Sequence, residues 1–205
     1  MKTIKFIFIL FCSTVLLAGC TKATDPESSA DTTVTSYTAS EIELAVIDEI
    51  NYARTKPKDY VTHRLSTRYS ANSSESYQEA LDEVIDQMNK MTALPELTEA
   101  DGLGKCATEW VNVSGPKGTV GHDSNISARF RKYCTYNTLG ENCSYGYSTA
   151  EDIVAALLID DGVEDRGHRQ NILKTSFTHV GVAVGSHKKY KTMCCIDFTY
   201  GYQEK

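Results

Sequence analysis

Two histidines and one glutamate are the side chains in this sequence best suited to metal binding or proton transfer. His122 follows Gly121 and His168 follows Gly167, so both imidazoles are expected on loops that a ligand can reach. Imidazole is the commonest metal ligand and carries protons near neutral pH. Glu141 lies between the two histidines in the chain, and its carboxylate would complete a metal or acid/base site if the three converge. Two histidines on unrelated surface loops are the alternative, and this pattern alone leaves both open.

The sequence lacks the common catalytic patterns. It contains no HExxH helix, no paired CxxC motifs and no G-x-S-x-G turn. A zincin protease and an α/β-hydrolase are therefore disfavoured. A nucleophile made of Cys143 and His122 is conceivable, but no spacing indicates a third group that would orient the base, so we do not favour it.

The secondary-structure elements that position the two histidines and the glutamate are predicted to be helices in the earlier part of the sequence and strands near its end. Ser40 and Glu43 have capping-box spacing before an apolar face at helical spacing, which predicts a helix from Ser40 to about Arg54. Further helices are predicted after Ser76 with Glu79, after Ser148 with Glu151, and from Thr98 to about Val113, followed by a glycine-rich loop over 114–121.

Two runs of alternating apolar residues close the sequence. Thr178 to Val184 and Tyr190 to Tyr200 have the alternation typical of strands. The short segment from Gly185 to Lys189 predicts that they form a hairpin. Helices followed by an antiparallel hairpin indicate an α+β domain.

The amino-terminal segment predicts export. Residues 1–19 have a short basic start and an almost unbroken apolar run from Phe6 to Leu17, which is typical of a signal peptide and too short for a permanent membrane span. The Leu-Ala-Gly-Cys sequence ending at Cys20 resembles a bacterial lipobox, in which cleavage leaves a lipid-bearing cysteine. Lipid chains contribute about 0.8 kcal/mol per buried CH₂, so Cys20 is expected to anchor the protein to a membrane.

The rest of the chain divides into a tether and a folded domain. Residues 20–39 are rich in Ser, Thr, Asp and Ala and predict a flexible tether, whereas residues 40–205 predict one folded domain. The formal net charge is -6, with 21 Lys+Arg against 27 Asp+Glu and no basic cluster. A nucleic-acid partner is therefore not expected. The localisation predicted is the cell envelope, with the domain facing the periplasm or the exterior.

The cysteines beyond Cys20 suggest disulfide chemistry. An exported protein meets an oxidising compartment, so one or two disulfides are expected. Cys134 with Cys143 is the nearest non-adjacent pair in the sequence and is the candidate disulfide. Cys194 and Cys195 should point to opposite faces of a strand, which makes them unsuitable partners for each other.

Four motifs follow one another in the chain: Gly121-His122, Gly140-Glu141-Asn142-Cys143, Gly167-His168-Arg169-Gln170-Asn171-Ile172-Leu173 and Phe177-Thr178-His179-Val180-Gly181-Val182. Together they resemble the motifs of the CAP superfamily, named for cysteine-rich secretory proteins, antigen 5 and pathogenesis-related proteins. The resemblance covers about Glu43 to Tyr202 and gives the helix at 45–54 the place of the family's first helix.

The resemblance implies an α-β-α sandwich, with a small central antiparallel sheet flanked by helices. It also implies a cleft lined by two histidines and two acidic residues. His122 and His168 match the histidines and Glu141 matches the first acid, while the second acid falls at Asp160 or Asp161, of which we favour Asp161. Family members can bind zinc or another divalent metal through the two histidines, so His122 and His168 become the candidate metal ligands.

Three functions remain for such a protein. The leading hypothesis is a lipid-anchored binding or interaction module whose cleft holds a divalent metal or a small ligand, with no assigned reaction and an unidentified protein or lipid-like partner. The main alternative is a metal-dependent peptidase or esterase in which Glu141 is the base. A carrier of sterol-like or fatty ligands, implied only by the resemblance, is the third.

Overall fold

The computed structural model describes residues 38–205. The predicted signal segment 1–19, the lipidated Cys20 and nearly all of the 20–39 tether lie outside the described residues. Within residues 38–205, no helix is long and apolar enough to cross a membrane.

The described chain alternates helices with short strands, which we number in chain order. The helices are α1 Glu41–Thr55, α2 Pro57–Tyr60, α3 Glu75–Lys90, α4 Asp101–Lys117, α5 Ile126–Tyr133, α6 Ala150–Ile159 and α7 Gly167–Ile172, with π- and 3₁₀-helical turns at Val61–Leu65 and Ser66–Arg68. The strands are β1 Thr98–Glu99, β2 Cys134–Thr135, β3 Thr138–Tyr145, β4 His179–His187, β5 Lys191–Tyr200 and β6 Gln203–Glu204.

A four-stranded sheet lies between two helical layers, which confirms the predicted α-β-α sandwich. The strand order is β1-β4-β5-β3, and all pairs except the two-residue β1–β4 pair are antiparallel. Helix α4 packs on one face of β4 and β5, whereas α1 contacts β4 and α6 contacts β3. Strands β2 and β6 form a separate two-stranded sheet.

Strand β5 shows why the sheet has two apolar faces. Cys194, Ile196 and Phe198 belong to the core formed with α1, α3 and α6, while Met193 and Cys195 belong to the core formed with α4. Alternate side chains of a strand point to opposite faces, so one strand contributes to both cores. The prediction that Cys194 and Cys195 lie on opposite faces is confirmed.

The first helix begins where its capping box predicts. The Ser40 amide donates to Glu43 Oε2 at 2.7 Å, and the other carboxylate oxygen of Glu43 accepts the Val184 amide at 2.9 Å. Glu43 therefore stabilises the start of α1 and also joins it to β4. The other two predicted boxes are displaced: Ser74 Oγ accepts the Tyr77 amide at α3, and Thr149 Oγ1 accepts the Asp152 amide at α6.

Helix α4 starts and ends later than the sequence pattern predicts. Thr98–Glu99 is a strand, and the helix continues to Lys117, where Gly118 adopts a left-handed φ of 72°. Glycine takes that conformation without steric cost, so it ends the helix there. Much of the predicted glycine-rich loop is thus helical.

Close contact between α4 and β4 depends on a glycine of the strand. A Cβ atom at Gly181 would lie 2.2 Å from the Gly104 amide nitrogen of α4. No real Cβ contact is that short, so the helix can approach the sheet only because residue 181 lacks a side chain.

The predicted disulfide between Cys134 and Cys143 is not confirmed. Among residues 38–205 every cysteine is a free thiol. Cys134 packs with Phe130 and Cys106 at the end of α5, whereas Cys143 packs with Cys195 under α4. The two thiols are near in sequence but belong to separate apolar clusters.

Candidate functional site

His122 and Glu141 form the first histidine–carboxylate pair of the site. The Nδ1 of His122 donates to Glu141 Oε1 at 2.7 Å. The histidine side chain is half-exposed, whereas that of Glu141, on β3, is only 1% exposed. The carboxylate is therefore fixed in the core and orients an imidazole that faces solvent.

His168 and Asp160 form the second pair. The Nδ1 of His168 donates to Asp160 Oδ1 at 2.7 Å, and Asp160 Oδ2 accepts the amides of His168 at 2.9 Å and Arg169 at 3.3 Å. Asp160 is buried and has a left-handed φ of 57° where α6 ends. Asp161, which the sequence favoured as the second acid, is exposed instead, because the turn after α6 directs Asp160 inward.

Two asparagines hold the elements that carry these pairs. Asn142, next to Glu141 on β3, donates its side-chain amide to the His168 carbonyl at 3.0 Å. Asn171 of α7 donates to Asn142 Oδ1 at 2.9 Å and to the Glu141 carbonyl at 3.3 Å. These hydrogen bonds connect β3 with α7 and so fix one histidine–carboxylate pair relative to the other.

The loop that carries His122 is held at its preceding glycine. Trp110 Nε1 donates to the Gly121 carbonyl at 3.1 Å, and the Gly121 amide donates to the Tyr145 hydroxyl at 3.0 Å. Gly121 has a φ of 99°, which disfavours any side chain at that position. Helix α4 and strand β3 thus place the His122 loop between them.

A buried charge network lies beneath Glu141. Arg129 of α5 forms an ion pair with Glu141 Oε2 and lies 3.8 Å from Asp197 Oδ1. Asp197 is opposite Glu141 in the β3–β5 register and is fully buried. Burial raises the pKa of Glu141, but the hydrogen bond from His122 and the charge of Arg129 outweigh it, so that pKa lies below its usual range.

Asp197 behaves oppositely to Glu141. Burial, followed by the negative charge of Glu141, raises the pKa of Asp197 well above its usual range. One buried arginine therefore faces two carboxyl groups whose pKa values are shifted in opposite directions.

The Cys143 thiol adjoins the first pair. Atoms of His122, Glu141 and Cys143 that could bind a metal all lie within 4.8 Å of one another. Hydrogen bonds to Cys143 and then to Glu141 raise the pKa of His122 to about 10. The hydrogen bond with Cys195 and that with His122 lower the pKa of Cys143, so the pair favours an imidazolium next to a thiolate.

Both histidines line an open cavity of about 660 Å³. Its other lining side chains are mainly polar and include Gln87, Asp165, Gln170 and Asn171. His168 and Cys143 also line a neighbouring cavity of about 310 Å³. The structure thus brings His122, Glu141 and His168 to one cleft, together with Asp160 in place of Asp161.

His122, Glu141 and Cys143 offer donor atoms of the types that bind a divalent cation such as zinc. Each imidazole uses Nδ1 to bind a carboxylate, which leaves Nε2 as the nitrogen that would coordinate a metal. A carboxylate behind a metal-binding histidine fixes the ring and raises its basicity. A metal would have to displace the proton that His122 holds, because the pKa of that imidazole is raised.

Comparison with known families identifies the class of this protein. The model of the CAP family, described as the cysteine-rich secretory protein family, matches residues 47–198. The chain belongs to the CAP family.

Individual proteins match this chain over a short segment or at low sequence identity. Uncharacterized protein YkwD of Bacillus subtilis (strain 168) is 44% identical over 48 residues, which is 23% of this chain and 17% of that protein. An outer surface protein from Borrelia burgdorferi has 17% identity and a TM-score of 0.43, covering 64% of this chain and 97% of that one. A cysteine-rich secretory protein from Staphylococcus aureus has 16% identity and a TM-score of 0.40, covering 63% of this chain and 40% of that one.

Several residues of the site were not predicted from the sequence. Arg129 and Asp197 lie in segments with no motif. The packing of α5 on α4 brings Arg129 to Glu141, and the β3–β5 register brings Asp197 there. For Cys195 the alternation of β5 was a usable signal, because it separates this thiol from Cys194 and directs it to the face of Cys143. Asn142 and Asn171 stand inside the family motifs, but their hydrogen bonds need the fold.

Proposed function

We propose that this CAP protein is an exported binding module, anchored through a lipid on Cys20, whose cleft holds a divalent metal ion or a small polar ligand at His122 and His168. The observation that carries the proposal is that both histidines line one cavity and that each has its Nδ1 bound to a buried carboxylate. Such pairs leave the two Nε2 atoms as the ligating groups.

A metal at this site would supply a Lewis acid, and the chain supplies its orientation. Glu141 and Asp160 set the ring planes, while Asn142 and Asn171 hold the two supporting elements together. Two protein nitrogens form an open site, to which water or a partner side chain would add ligands. The site is thus suited to joining this protein to a second molecule.

The lining of the cleft favours a polar ligand over a fatty one. Asp165, Gln170, Asn171 and Lys174 line the cavity beside the histidines. A sterol or acyl chain would displace water from these polar groups without offering them a hydrogen bond, and each group that loses water without a replacement costs about 1–3 kcal/mol. The carrier hypothesis therefore has less support at this cleft.

The lowered pKa of Glu141 weighs against the hydrolase alternative, in which Glu141 is the base. A general base must accept a proton from water, and its pKa should lie near the working pH. Glu141 has a lowered pKa, and its oxygens are engaged by His122, Arg129 and Cys195. Binding without an assigned reaction is accordingly the function we prefer.

Zinc titration calorimetry of the full chain tests the metal proposal. We expect saturable binding by the native protein that is lost in the His122→Ala/His168→Ala variant. His63→Ala is the matched control, because it removes an exposed imidazole from the Val61–Leu65 turn. Retained binding in the double variant, or no binding by the native protein, would contradict the proposal.

Single variants locate the site more closely. If His168→Ala keeps zinc binding while Cys143→Ser loses it, the ion is held by the His122–Glu141–Cys143 group instead of the two histidines. Circular dichroism of each variant shows whether a loss of binding reflects a loss of fold.

Membrane anchoring needs a separate experiment. Cys20→Ser removes the proposed lipid attachment and should move the protein from the membrane fraction to the soluble fraction. Cys134→Ser, which changes a buried thiol of the domain, is the control. An unchanged distribution of the Cys20→Ser protein would contradict lipid anchoring.

A further inference from the structure

We propose that Cys143 and Cys195 form a redox-active thiol pair, in which Cys143 reacts with a small disulfide molecule and Cys195 completes an intramolecular disulfide. The inference goes beyond the proposed binding function and requires no metal.

The sheet register places the two cysteines directly opposite each other. Cys143 of β3 pairs with Cys195 of β5 in the antiparallel ladder. Directly opposite residues in such ladders have Cα atoms about 4.5–5.5 Å apart, and disulfides span about 4.4–6.8 Å. The spacing of directly opposite residues therefore lies within the range that a disulfide spans.

Both side chains lie on the same face of the sheet. Cys143 and Cys195 belong to one apolar cluster with Ala107, Val111 and Ala183. Cys194, the next residue on β5, lies on the other face and is opposite Ser144 and Val184. The register thus offers Cys143 one thiol partner, and that partner is Cys195.

Different access to solvent gives the two thiols different tasks. Cys143 is 7% exposed and lines the 310 Å³ cavity with Tyr145 and His168, whereas Cys195 is fully buried. A small disulfide in that cavity reaches only Cys143. Cys195 would then attack the mixed disulfide from inside the protein.

The two steps balance in atoms and electrons. The Cys143 sulfur attacks one sulfur of a low-molecular-weight disulfide RSSR: the bond from Cys143 to SR forms, the RS–SR bond breaks, and the departing RS⁻ takes up the proton that Cys143 loses, which gives the first RSH. The Cys195 sulfur then attacks the Cys143 sulfur, forms the Cys143–Cys195 bond and releases the second RSH. The two protein thiols together lose two electrons, and RSSR gains these electrons and becomes two thiols.

Oxidation would change the first histidine–carboxylate pair. The reduced Cys195 thiol donates to Glu141 Oε2 at 3.3 Å, and Cys143 contacts His122. A disulfide has neither the Cys195 proton that Glu141 accepts nor a Cys143 thiolate to accept from His122, so both Glu141 and His122 would lose a sulfur partner. The thiol pair thus connects the redox state of the surroundings to the cleft.

The test is disulfide mapping of the full chain after incubation with oxidised glutathione in the presence of EDTA. Remaining thiols are alkylated, the protein is digested under non-reducing conditions, and the peptides are identified by mass spectrometry. We expect the native protein to yield a peptide containing Cys143 cross-linked to the peptide containing Cys194 and Cys195. EDTA removes bound metal, so the result is independent of the zinc proposal.

Adjacent-cysteine variants assign the bond. Cys194→Ser should retain the cross-linked peptide, and Cys195→Ser should lose it and instead accumulate glutathione on Cys143. Absence of the cross-link from the native protein, or its persistence in Cys195→Ser, would overturn the proposal. The native result stands even if the Cys195→Ser chain does not fold.

Discussion

The two histidine–carboxylate pairs have equal hydrogen-bond lengths but different supports. Glu141 lies on a strand, and its carboxylate forms an ion pair with Arg129 and accepts a hydrogen bond from Cys195. Asp160 lies at the end of a helix, and its carboxylate accepts hydrogen bonds from two backbone amides. Support by an arginine depends on a buried ion pair, while support by amides depends on chain conformation. The first pair should therefore be sensitive to charge and the second to backbone geometry.

Removal of Arg129 should have the largest effect on stability. Arg129→Met leaves the Glu141 carboxylate buried without its cation, and the expected loss in the free energy of unfolding is about 3–5 kcal/mol. Urea denaturation at neutral pH measures it. Lys90→Met is the control, because Lys90 and its partner Asp86 are exposed and such pairs contribute at most about 1 kcal/mol. Equal losses in the two variants would remove the distinction between buried and exposed support.

Neutral amide substitutions compare the two carboxylates directly. Glu141→Gln removes the charge that faces Arg129 and should cost about 1.5–3 kcal/mol, the usual value for a hydrogen bond to a charged group. Asp160→Asn keeps an oxygen for the two backbone amides, and asparagine tolerates the left-handed φ of this position, so its cost should be below about 1 kcal/mol. A larger loss for Asp160→Asn, in the same urea assay, would reverse our ranking of the pairs.

Of these substitutions, Asp197→Asn should change the free energy of unfolding least at acidic pH. As the pH rises, we expect the variant to become more stable than the native protein. Because the folded-state pKa of Asp197 is raised above its ordinary value of 3.8, its contribution to stability is complete below that value and is lost as pH rises through the folded-state pKa. The asparagine variant has no such proton to lose. We therefore expect native stability to fall relative to Asp197→Asn as the pH rises from acidic to alkaline. A constant difference over that range would contradict the raised pKa of Asp197 in the fold.

Local sequence patterns predict the parts of the fold whose hydrogen bonds are local. The start of α1 follows from Ser40 and Glu43, and the β4–β5 hairpin follows from alternating apolar residues. Strand β3 has no such pattern, since Asn142 and Ser144 are buried polar residues whose partners come from elsewhere. Its existence depends on pairing with β5 and could not be deduced from its own residues.

Part of the site could be predicted from residue types and their neighbours in the sequence. His122, His168 and Glu141 stand in glycine-flanked motifs, and the structure brings all three to one cleft. The choice between Asp160 and Asp161 depends on the turn that ends α6, which the sequence pattern does not specify. Arg129 required knowledge of how α5 packs, because an arginine in a polar helix is usually exposed.

The bond between Glu43 and the Val184 amide has a consequence for the order of folding. It joins the first helix of the domain to a strand 141 residues later in the chain. Ribosomes add about 5–20 residues per second, so α1 is made many seconds before its partner strand exists. Until then the apolar face of α1 has no sheet to cover it. A chain interrupted before β4 would have α6 but not β4 to pack on α1, so part of that face would be exposed to chaperones and proteases, whereas the complete chain covers it.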